Sequence, residues 1–461
     1  MPSTPAAFST LPLAPELLTT LHELGYDAMT PVQAQSLPAL LAGQDVIAQA
    51  MTGSGKTAAF GIALLTRLDA RCFEPQALIL CPTRELADQV TKVLRQLARG
   101  LGNIKMLTLC GGMPMAPQLN SLESGAHVVV GTPGRVLKHL TKGSLKLSRL
   151  QTLVLDEADR MLDMGFHDSM VEVIACAPPE RQTLLFSATY PYTIRALSCR
   201  FQHDPVEITV PSAAADTQIE QLFFEVDPRA REQALNALLR HYQPASAVLF
   251  CNTRQRCDEV AQSLRAAGFH VAALHGDLEQ RERDQVLVQF ANQSCPLLVA
   301  TDVAARGLDI KDLAAVINVE LAFEPETHVH RIGRTGRAGQ TGLALSLCAP
   351  GEVHRANVIE DKQQRPLQWL PLPEVDAQAP VVAPRWITLR IGGGRRDKLR
   401  PGDILGALTG EDGIAGTAVG KIDLFDRHAF VAVDRSAAPA ALRRLSEAGI
   451  KGRRFSAQQL P

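Results

Sequence analysis

Eight consecutive residues have the types and the spacing of a loop that binds phosphate groups. They are a small residue, four spacers and then Gly-Lys-Thr, namely Ala50, Met51, Thr52, Gly53, Ser54, Gly55, Lys56 and Thr57. Glycines let successive backbone N–H groups point at phosphate oxygens, and the N-terminus of a following helix adds a partial positive charge. We therefore expect this loop to hold the phosphates of a nucleotide.

The side chains at the end of the loop predict nucleoside triphosphate chemistry. Lys56 can reach the β- and γ-phosphates, and Thr57 offers a hydroxyl group to Mg²⁺. The alternative is an ordinary glycine-rich turn into a helix. The loop lies between apolar segments at 45–48 and 58–68, which predict a strand and a helix, and this context favours the phosphate loop.

A run of acids further along the chain predicts a ligand for the metal ion. Asp156, Glu157, Ala158 and Asp159 directly follow an apolar strand pattern at 153–155. A carboxylate at the C-terminal end of a strand, beside a phosphate loop, lies where Mg²⁺ needs a ligand, and we assign this role to Asp156, directly or through water. Glu157 can orient and deprotonate an attacking water molecule.

Alternating strands and helices must position these residues. Continuous apolar runs occur at 77–80, 128–130, 153–155 and 184–186. Helical patterns at 84–99 and 133–140 separate them, which predicts a parallel sheet covered on both faces. The stretch 203–217, which contains two prolines and an alanine run, predicts a break between domains.

A second series of the same kind follows the break. Its predicted strands lie at 247–250, 271–274, 297–300, 316–319 and 343–347. Because this series has no Gly-Lys-Thr loop, we predict a second α/β domain without its own phosphate loop. Four prolines between 371 and 384 predict a linker. The last segment has strand patterns at 386–391, 419–424 and 429–433 and a helical pattern at 439–448, which predict a small α+β module.

Composition limits the class of protein. Of the 461 residues, 46% are hydrophobic and 21% are charged, as in ordinary globular proteins. No apolar run reaches about 18 residues, and the first ten residues lack the pattern of a signal peptide. The nine cysteines include no Cys-x-x-Cys pair, so we predict neither a disulfide framework nor a zinc site, but reduced thiols in the cytoplasm. We expect core positions for Cys81, Cys110, Cys251 and Cys348.

Charge is unevenly distributed along the chain. Residues 384–461 contain 14 Lys and Arg against 8 Asp and Glu, a net charge of +6, whereas the rest contains 33 against 40, a net charge of −7. A basic module attached to a mildly acidic body favours a polyanionic partner, and the alternative is a solvated charged surface.

The acidic run and further motifs resemble the DEAD-box family of RNA helicases. The motifs occur in that family's order between about residues 8 and 345. They are Gly25-Tyr26, Thr30 to Gln33, Pro82 to Leu86, Gly111-Gly112, Thr132 to Arg135, Asp156 to Asp159, Ser187 to Thr189, Gln280 to Arg283, Ala300 to Asp302, Arg306 to Asp309, and His330 to Arg337. The resemblance implies an ATP-dependent RNA helicase with ATP and Mg²⁺ as cofactors. Its implied fold is α/β, with two tandem RecA-like parallel-sheet domains.

The resemblance also implies an adenine site. Gln33 carries an amide that can pair with N6 and N7 of adenine. Tyr26 and Phe8 can stack on the base or brace it, and the alternative for Phe8 is a loose N-terminal contact. Asp309 is expected at the ribose.

Residues of the second domain are expected to complete the catalytic set. With Lys56 and Glu157, the resemblance implies catalytic roles for Arg334 and Arg337 at the γ-phosphate. The alternative for these arginines is a solvent-facing loop. Coupling between ATP and RNA is expected to involve Ser187, Ala188, Thr189, Asp159, His330 and Arg331. Ser187 and Thr189 could also cap the helix after Pro191.

The remaining motifs predict contacts with nucleic acid. They are hydroxyl groups, arginines and backbone N–H groups near helix starts, namely Pro82, Thr83, Arg84, Gly112, Thr132, Pro133, Gly134, Arg135, Gln280, Arg283 and Thr301. Such groups suit phosphates and sugars rather than base edges, so we expect binding that does not depend on sequence. Contacts with 2′-hydroxyl groups would favour RNA over DNA.

The C-terminal segment resembles that of the bacterial DbpA-type helicases, in Trp386 to Leu389, Gly392 to Arg396 and Leu399 to Ile404. That resemblance implies an RRM-like domain that holds 23S ribosomal RNA of the large subunit. The usual RRM signature has aromatic residues on the central strand that stack on bases. The segment at 426–433 contains only His428 and Phe430 of this kind. We therefore expect arginines, lysines and loops to bind RNA, through Arg395, Arg396, Lys398, Arg400, Lys421, Arg427, Arg453 and Arg454. The alternative is that several of them only aid solubility.

The predicted protein is an ATP-dependent RNA helicase that opens ribosomal RNA duplexes during assembly of the large (50S) subunit. Its domains are expected at 1–208, 215–370 and 384–461, with a linker at 371–383. We expect a cytoplasmic monomer that has RNA and large-subunit assembly intermediates as partners and no membrane contact. Alternatives are an ATP-dependent RNA clamp, a helicase of messenger RNA metabolism, a DNA helicase and a structural protein with a vestigial site.

Overall fold

The computed structural model describes residues 6–50, 53–190, 192–210, 219–305, 313–336, 341–374, 381–447 and 449–460. Four residues with predicted roles, Met51, Thr52, Asp309 and Arg337, lie outside these ranges, as does Pro191. The chain forms two units, one holding the described residues up to 210 and the other those from 219 onward.

The first unit is built on a parallel sheet. Its strands are β1 (Val46–Gln49), β2 (Ala77–Leu80), β3 (Met106–Leu109), β4 (Val128–Gly131), β5 (Thr152–Asp156), β6 (Gln182–Ser187) and β7 (Val206–Thr209). Its helices are α1 (Pro15–Glu23), α2 (Pro31–Leu41), α3 (Lys56–Arg67), α4 (Arg84–Leu97), α5 (Met115–Glu123), α6 (Pro133–Thr141), α7 (Ala158–Asp163), α8 (His167–Ala175) and α9 (Tyr192–Phe201). The described strands follow the order β3-β4-β2-β5-β6-β1-β7, and every neighbouring pair is parallel.

Both faces of this sheet are buried, as the continuous apolar runs predicted. In β2, Ala77 and Ile79 belong to one hydrophobic cluster, whereas Leu78 and Leu80 belong to another. Successive side chains of a strand point to opposite faces, so the two clusters are the two helix-covered faces of the sheet.

The second unit contains a sheet of the same kind. Its strands are β8 (Ile219–Glu225), β9 (Ala247–Cys251), β10 (Val271–Leu274), β11 (Leu297–Thr301), β12 (Ala315–Asn318), β13 (Gly342–Cys348) and β14 (Gln368–Leu370). Its helices are α10 (Arg231–Tyr242), α11 (Arg254–Ala266), α12 (Gln280–Ala291), α13 (Asp302–Ala305), α14 (Pro325–Ile332) and α15 (Val353–Gln363). The order among the described strands is β10-β11-β9-β12-β13-β8-β14, again with parallel neighbours.

The same unit includes the C-terminal module, an antiparallel sheet with two helices. The elements are β15 (Trp386–Ile391), α16 (Pro401–Thr409), β16 (Val419–Leu424), β17 (Ala429–Asp434), α17 (Ala438–Glu447) and β18 (Ala457–Gln459). The described strands run in the order β16-β17-β15-β18. The predicted α/β class and the small α+β module are therefore confirmed.

Several elements escaped sequence analysis. The stretch 203–217 was expected to be a break between domains, and the two units do divide after residue 210. The start of the stretch, however, contains β7, which pairs with β1 in parallel. This edge strand is short and only partly buried, and it follows Pro205, so its pattern is that of a loop. The strands β3, β8, β14 and β18 and the helix α16 were not predicted either.

The positions of the cysteines agree with the sequence analysis. All nine cysteines lie in described residues and are free thiols, and Cys81, Cys110, Cys251 and Cys348 are buried. In the described part of the chain, no helix combines the length and the apolar character needed to cross a bilayer.

Candidate nucleotide and RNA sites

The predicted phosphate loop joins β1 to α3, as its motif requires. Gly53 and Gly55 adopt positive φ angles of 85° and 98°, which side chains other than glycine tolerate poorly. Lys56, the first residue of α3, is 5% exposed, and its ammonium group donates to the Ala50 carbonyl oxygen at 2.7 Å. Thr57 follows it and is partly buried. The lysine is thus held inside the loop, where it is expected to bind the phosphates of a nucleotide.

Gln33 connects the predicted adenine motif to the phosphate loop. It lies in the first turn of α2, is 1% exposed, and accepts from the Thr30 backbone N–H at 2.9 Å. Its Nε2 donates to the Gly55 carbonyl oxygen at 3.1 Å. A Cβ atom at Gly55 would come within 2.5 Å of this nitrogen. The amide therefore fixes the loop, and its pairing with adenine stays a prediction.

The structure places Phe8 beneath Tyr26 rather than on the surface. Phe8 is 4% exposed and belongs to the first domain's core, and its ring meets that of Tyr26 edge to face at 6.4 Å. Tyr26 is partly exposed, and burial raises the pKa of its hydroxyl group. This geometry favours the bracing role for Phe8 and leaves Tyr26 as the ring that can meet a base.

The acidic run forms a buried carboxylate group at the end of β5. Asp156, Glu157 and Asp159 are 3%, 6% and 6% exposed. Burial raises the pKa of Asp156 to about 7; the charge of Lys56 lowers it and that of Glu157 raises it. A divalent cation would offset this cost, and carboxylate and hydroxyl oxygens are donors that Mg²⁺ prefers, so Asp156 and Thr57 fit the ion.

Glu157 has a backbone conformation that its neighbours must enforce. Its φ and ψ angles are 53° and 52°, in the left-handed region, at the start of α7. A residue other than glycine pays about 1–3 kcal/mol to stay in a sparsely populated conformation, and such residues cluster at functional sites. The strained residue is therefore the one that is predicted to act as the general base.

Asp159 ties the acidic run to the Ser-Ala-Thr segment that ends β6. Its carboxylate accepts from the backbone N–H of Thr189 at 3.0 Å and from the Thr189 hydroxyl group at 2.9 Å. In return, the Asp159 N–H donates to the Ser187 hydroxyl oxygen at 3.3 Å. The Thr189 hydroxyl group donates to this carboxylate, and its alternative role as a helix cap stays a prediction. The predicted coupling residues of the first domain are therefore in direct contact.

The predicted RNA residues of the first domain follow β2, β3 and β4. Arg135 donates to the Gln118 side chain and to the Met113 carbonyl oxygen, each at 2.8 Å, and so holds the loop that contains Gly112. Around Gly134 the backbone is open, with no atom within 4 Å of a Cβ built there. Thr132 and Pro133 begin α6, directly after β4.

Thr83 and Arg84 start the helix after β2. The Thr83 hydroxyl oxygen accepts from the Leu86 N–H at 3.2 Å and caps α4, and Pro82 is the buried residue before it. Arg84 lies 3.5 Å from Asp88, and its buried Nη1 has no hydrogen-bond partner among the described residues. A buried donor without a partner costs about 1–3 kcal/mol, which a phosphate oxygen would recover.

In the second domain, Arg331 is enclosed by its own domain. It is 1% exposed, and its guanidinium donates to both carboxylate oxygens of Asp302 at 2.7 Å. It also donates to Asn318, to Asn252 and to the Glu320 carbonyl oxygen. Any coupling through Arg331 must therefore pass through these partners. His330 and Arg334, beside it at the end of α14, are partly exposed.

The other predicted RNA residues of this domain lie at helix starts. Gln280 and Arg283 occupy the first turn of α12, where Gln280 donates to Asp284 at 2.8 Å and Arg283 to the His275 carbonyl oxygen at 3.3 Å. Thr301 ends β11, and its hydroxyl oxygen accepts from the Ala304 N–H.

Loops of the C-terminal module bring most of its predicted RNA residues together. The N–H groups of Arg395 and Arg396 donate to the carbonyl oxygens of Phe425 and Asp426, beside Arg427. Arg453 donates to the Asp397 carbonyl oxygen. This hydrogen bond brings the loop that contains Arg453 and Arg454 next to the loop of Arg395 and Arg396. The eight predicted residues, namely Arg395, Arg396, Lys398, Arg400, Lys421, Arg427, Arg453 and Arg454, are all exposed.

The central strand of the module offers no free aromatic platform. Phe430 is 2% exposed and is covered by Val288 and Leu460. His428 stacks on Phe425 at 4.8 Å between ring centroids. The expectation that loops, rather than stacking on this sheet, provide the RNA surface agrees with this burial.

Comparison with known proteins assigns the chain to a family. Residues 30–197 match the DEAD/DEAH box helicase family, residues 230–339 the helicase conserved C-terminal domain and residues 388–459 the DbpA RNA binding domain. The chain is 55% identical over 448 residues to the ATP-dependent RNA helicase DbpA of Escherichia coli, covering 97% of this chain and 98% of that relative. It is a DEAD-box helicase. Its activity is therefore that of an ATP-dependent RNA helicase, a hydrolase.

Further relatives share the helicase core of this DEAD-box protein. The chain is 40% identical over 376 residues to the helicase CshA of Geobacillus kaustophilus, covering 80% of this chain and 79% of that relative. Among solved structures, Saccharomyces cerevisiae Dbp5 bound to RNA and ADP BeF3 is similar, with a TM-score of 0.72 and 30% identity. That match covers 79% of this chain and 96% of the Dbp5 chain. It supports the RecA-like assignment of both parallel-sheet domains.

Sequence analysis missed the residues that orient the helicase motifs. Asn252 and Asp302 hold Arg331. Asp302 was named only as the end of a motif, without a role, and Asn252 was not named. Both directly follow buried strands, so the rule used for Asp156 would have identified their importance. Gln118, which holds Arg135, lies inside α5 and has no comparable signal.

We predict that Gln33→Glu weakens ATP binding by the helicase. The change removes the Nε2 donor to Gly55 and sets a carboxylate against its carbonyl oxygen. We expect KM for ATP to rise about tenfold, since a lost hydrogen bond to a buried group costs about 1–3 kcal/mol. Gln35→Glu, on the exposed side of the same helix, should leave KM unchanged. Equal values for both variants would contradict the assignment.

We predict that Thr189→Ala uncouples RNA from ATP hydrolysis. Asp159 would lose the hydroxyl donor that connects it to the end of β6. We expect ATP to bind, as measured with a fluorescent analogue, while strand displacement falls about tenfold, since bonds to charged groups contribute about 1.5–3 kcal/mol. Thr189→Ser keeps the hydroxyl and should retain most of the activity. Full strand displacement by the alanine variant would refute this role.

Proposed function

We propose that this helicase opens short ribosomal RNA duplexes during assembly of the large ribosomal subunit and that its C-terminal module directs it to 23S ribosomal RNA. The observation that carries the proposal is the cluster of exposed arginines on the loops of that module. The helicase core supplies hydroxyl groups, arginines and helix starts. Such groups contact the sugar-phosphate backbone of RNA, which carries no sequence information. Recognition of a particular RNA must therefore come from the module.

In the proposed cycle, residues of the first domain bind ATP and activate water. Lys56 balances the charge of the β- and γ-phosphates, and Gln33 and Tyr26 select adenine. Glu157 accepts a proton from the attacking water, and its fixed backbone orients its carboxylate. Mg²⁺, held by Thr57 and Asp156, would neutralise charge on the phosphates.

The second domain provides the remaining groups. Arg334, together with Arg337, stabilises charge on the γ-phosphate when ATP and RNA draw the two helicase domains together. Asp309 contacts the ribose in the same state. The strand held by both domains then bends away from its complement, so that a short duplex opens, and hydrolysis resets the domains. The helicase acts as a monomer in the cytoplasm in this proposal, in keeping with its nine free thiols.

We predict that Lys56→Ala abolishes ATP hydrolysis without preventing RNA binding by the full chain. Hydrolysis requires the ammonium group at the phosphates, whereas the exposed loops of the module do not depend on it. Phosphate release with RNA present and RNA binding by filter retention measure the two effects. Lys92→Ala, on the surface of α4, is the control and should hydrolyse ATP normally. Hydrolysis by the Lys56 variant at the wild-type rate would refute the assignment.

The RNA target is tested by crosslinking the full chain to RNA in cells and sequencing the attached fragments. We expect 23S ribosomal RNA to dominate, with the reads concentrated in one region. The double variant Arg395→Glu with Arg396→Glu should lose about tenfold of this signal, because each lost phosphate contact weakens binding in a salt-dependent manner. Arg443→Glu, on the exposed side of α17, reverses one charge away from these loops and should keep the signal. Reads spread over messenger RNA would contradict the proposed target.

A further inference from the structure

One helix of the second domain carries two different surfaces. The first turn of α12 holds Gln280 and Arg283, which are expected to contact the RNA strand. The other end of α12 and the turn after it contact the C-terminal module through Val288, Asn292 and Ser294. The two ends are about 18 Å apart along a single helix, at about 1.5 Å per residue.

Buried hydrogen bonds fix the module to this helix. The Asn292 side chain donates to the Thr388 hydroxyl oxygen at 2.8 Å, and the Ser294 and Thr388 hydroxyl oxygens lie 2.6 Å apart. The Ser294 hydroxyl also donates to the Gln289 carbonyl oxygen, so the Thr388 hydroxyl donates to Ser294 and each group in the chain has a partner. Thr388 is 1% exposed and Asn292 is 6% exposed. Polar groups buried in this way are satisfied in one arrangement only, which specifies how the module is seated.

Apolar contacts complete the seat. Val288 forms a cluster with Phe430 of β17 and Leu460, and Phe425 packs at its edge. Within the described residues, Val288 belongs to this cluster rather than to the main core of the second domain. We call Val288, Asn292, Ser294, Thr388, Phe430 and Leu460 the docking surface. This surface buries the Val288 side chain against the module.

The position of this surface has a consequence for RNA. Thr388 and Phe430, on one face of the module's sheet, are covered by protein. The basic loops at Arg395, Arg427 and Arg453 are exposed. RNA held by those loops and a strand held at the start of α12 are thus attached to one compact unit of the structure. If the module were attached flexibly, duplexes at many distances from the anchored RNA could reach the core. The effective concentration of a duplex at the core would then change little with its distance from the anchor.

We propose that the docking surface sets the distance between the RNA anchored on the C-terminal module and the strand gripped by the helicase core, so that only a duplex at a defined spacing from the anchor is opened efficiently. Val288, Asn292 and Thr388 are then positioning residues for substrate choice. The inference rests on the proposed RNA-anchoring function of the module, but not on which RNA is the natural target.

A covalent tether tests this without knowledge of the natural RNA. The full chain carries Glu411→Cys on an exposed loop of the module, with the exposed Cys176 and Cys199 changed to serine. An RNA attached by a thioether to the thiol introduced at position 411 consists of a single-stranded spacer of variable length followed by a short duplex. Duplex opening within the same molecule is measured with ATP as a function of spacer length.

We expect wild-type docking to give a sharp optimum, with opening rates that differ about tenfold between the best and the neighbouring spacers. Val288→Asp and Thr388→Val, which disrupt the docking surface, should flatten the profile to less than about threefold. Thr388→Ser keeps the hydroxyl and Leu405→Asp adds a charge on an exposed part of α16, so both should keep the optimum. ATP hydrolysis stimulated by a free, untethered oligonucleotide should be equal in all of them, which excludes a general folding defect.

The outcomes separate the inference from the proposed function. A flat profile for the wild type, or a retained optimum in Val288→Asp, would overturn the role of the docking surface even if crosslinking finds 23S ribosomal RNA. A sharp optimum that the docking variants lose would support it even if the natural target is another RNA. Distance distributions between spin labels at positions 262 and 411 should broaden in Val288→Asp and stay narrow in Thr388→Ser.

Discussion

Parallel strands that end at one edge of a sheet are the constraint on which this helicase depends. In the first domain β1, β2, β4, β5 and β6 end beside the phosphate loop, the Pro-Thr-Arg motif, the Thr-Pro-Gly-Arg motif, the acidic run and the Ser-Ala-Thr segment. The motifs are far apart in sequence but lie on neighbouring strands. This arrangement lets Asp159, after β5, accept two hydrogen bonds from Thr189, after β6. The groups that are predicted to bind ATP and RNA therefore share one edge of the sheet.

Buried charged and polar groups at that edge favour the binding of phosphate and of a cation. Three carboxylates are buried within four residues, and the pKa of Asp156 is raised to about 7 by burial. The charge of Lys56 offsets part of this cost, and its ammonium group donates to the Ala50 carbonyl oxygen. Arg84 keeps a buried donor without a partner in the described residues. Such groups are costly in the free protein and become favourable when phosphate or a cation arrives.

Much of this could be predicted from the sequence, because strand-end motifs carry their chemistry in a few adjacent residues. The phosphate loop, the acidic run and the two parallel-sheet domains followed from apolar runs and from the residues directly after them. The strands β7 and β14 did not, since short edge strands are only partly buried and lack that signal. The enclosure of Arg331 by Asn252, Asp302 and Asn318 was also hidden, because it depends on contacts between elements distant in sequence. The covering of Phe430 by Val288 belongs to the same class.

The central claim is that ATP and RNA act together to bring the two helicase domains into one catalytic arrangement. Single-molecule energy transfer between dyes at Glu123→Cys in the first domain and Gln262→Cys in the second, with Cys176 and Cys199 changed to serine, measures this most directly. A non-hydrolysable ATP analogue and a single-stranded RNA should each leave the distance distribution unchanged, and the two together should shift it to a new, narrow state. The same distribution under all four conditions would contradict the account.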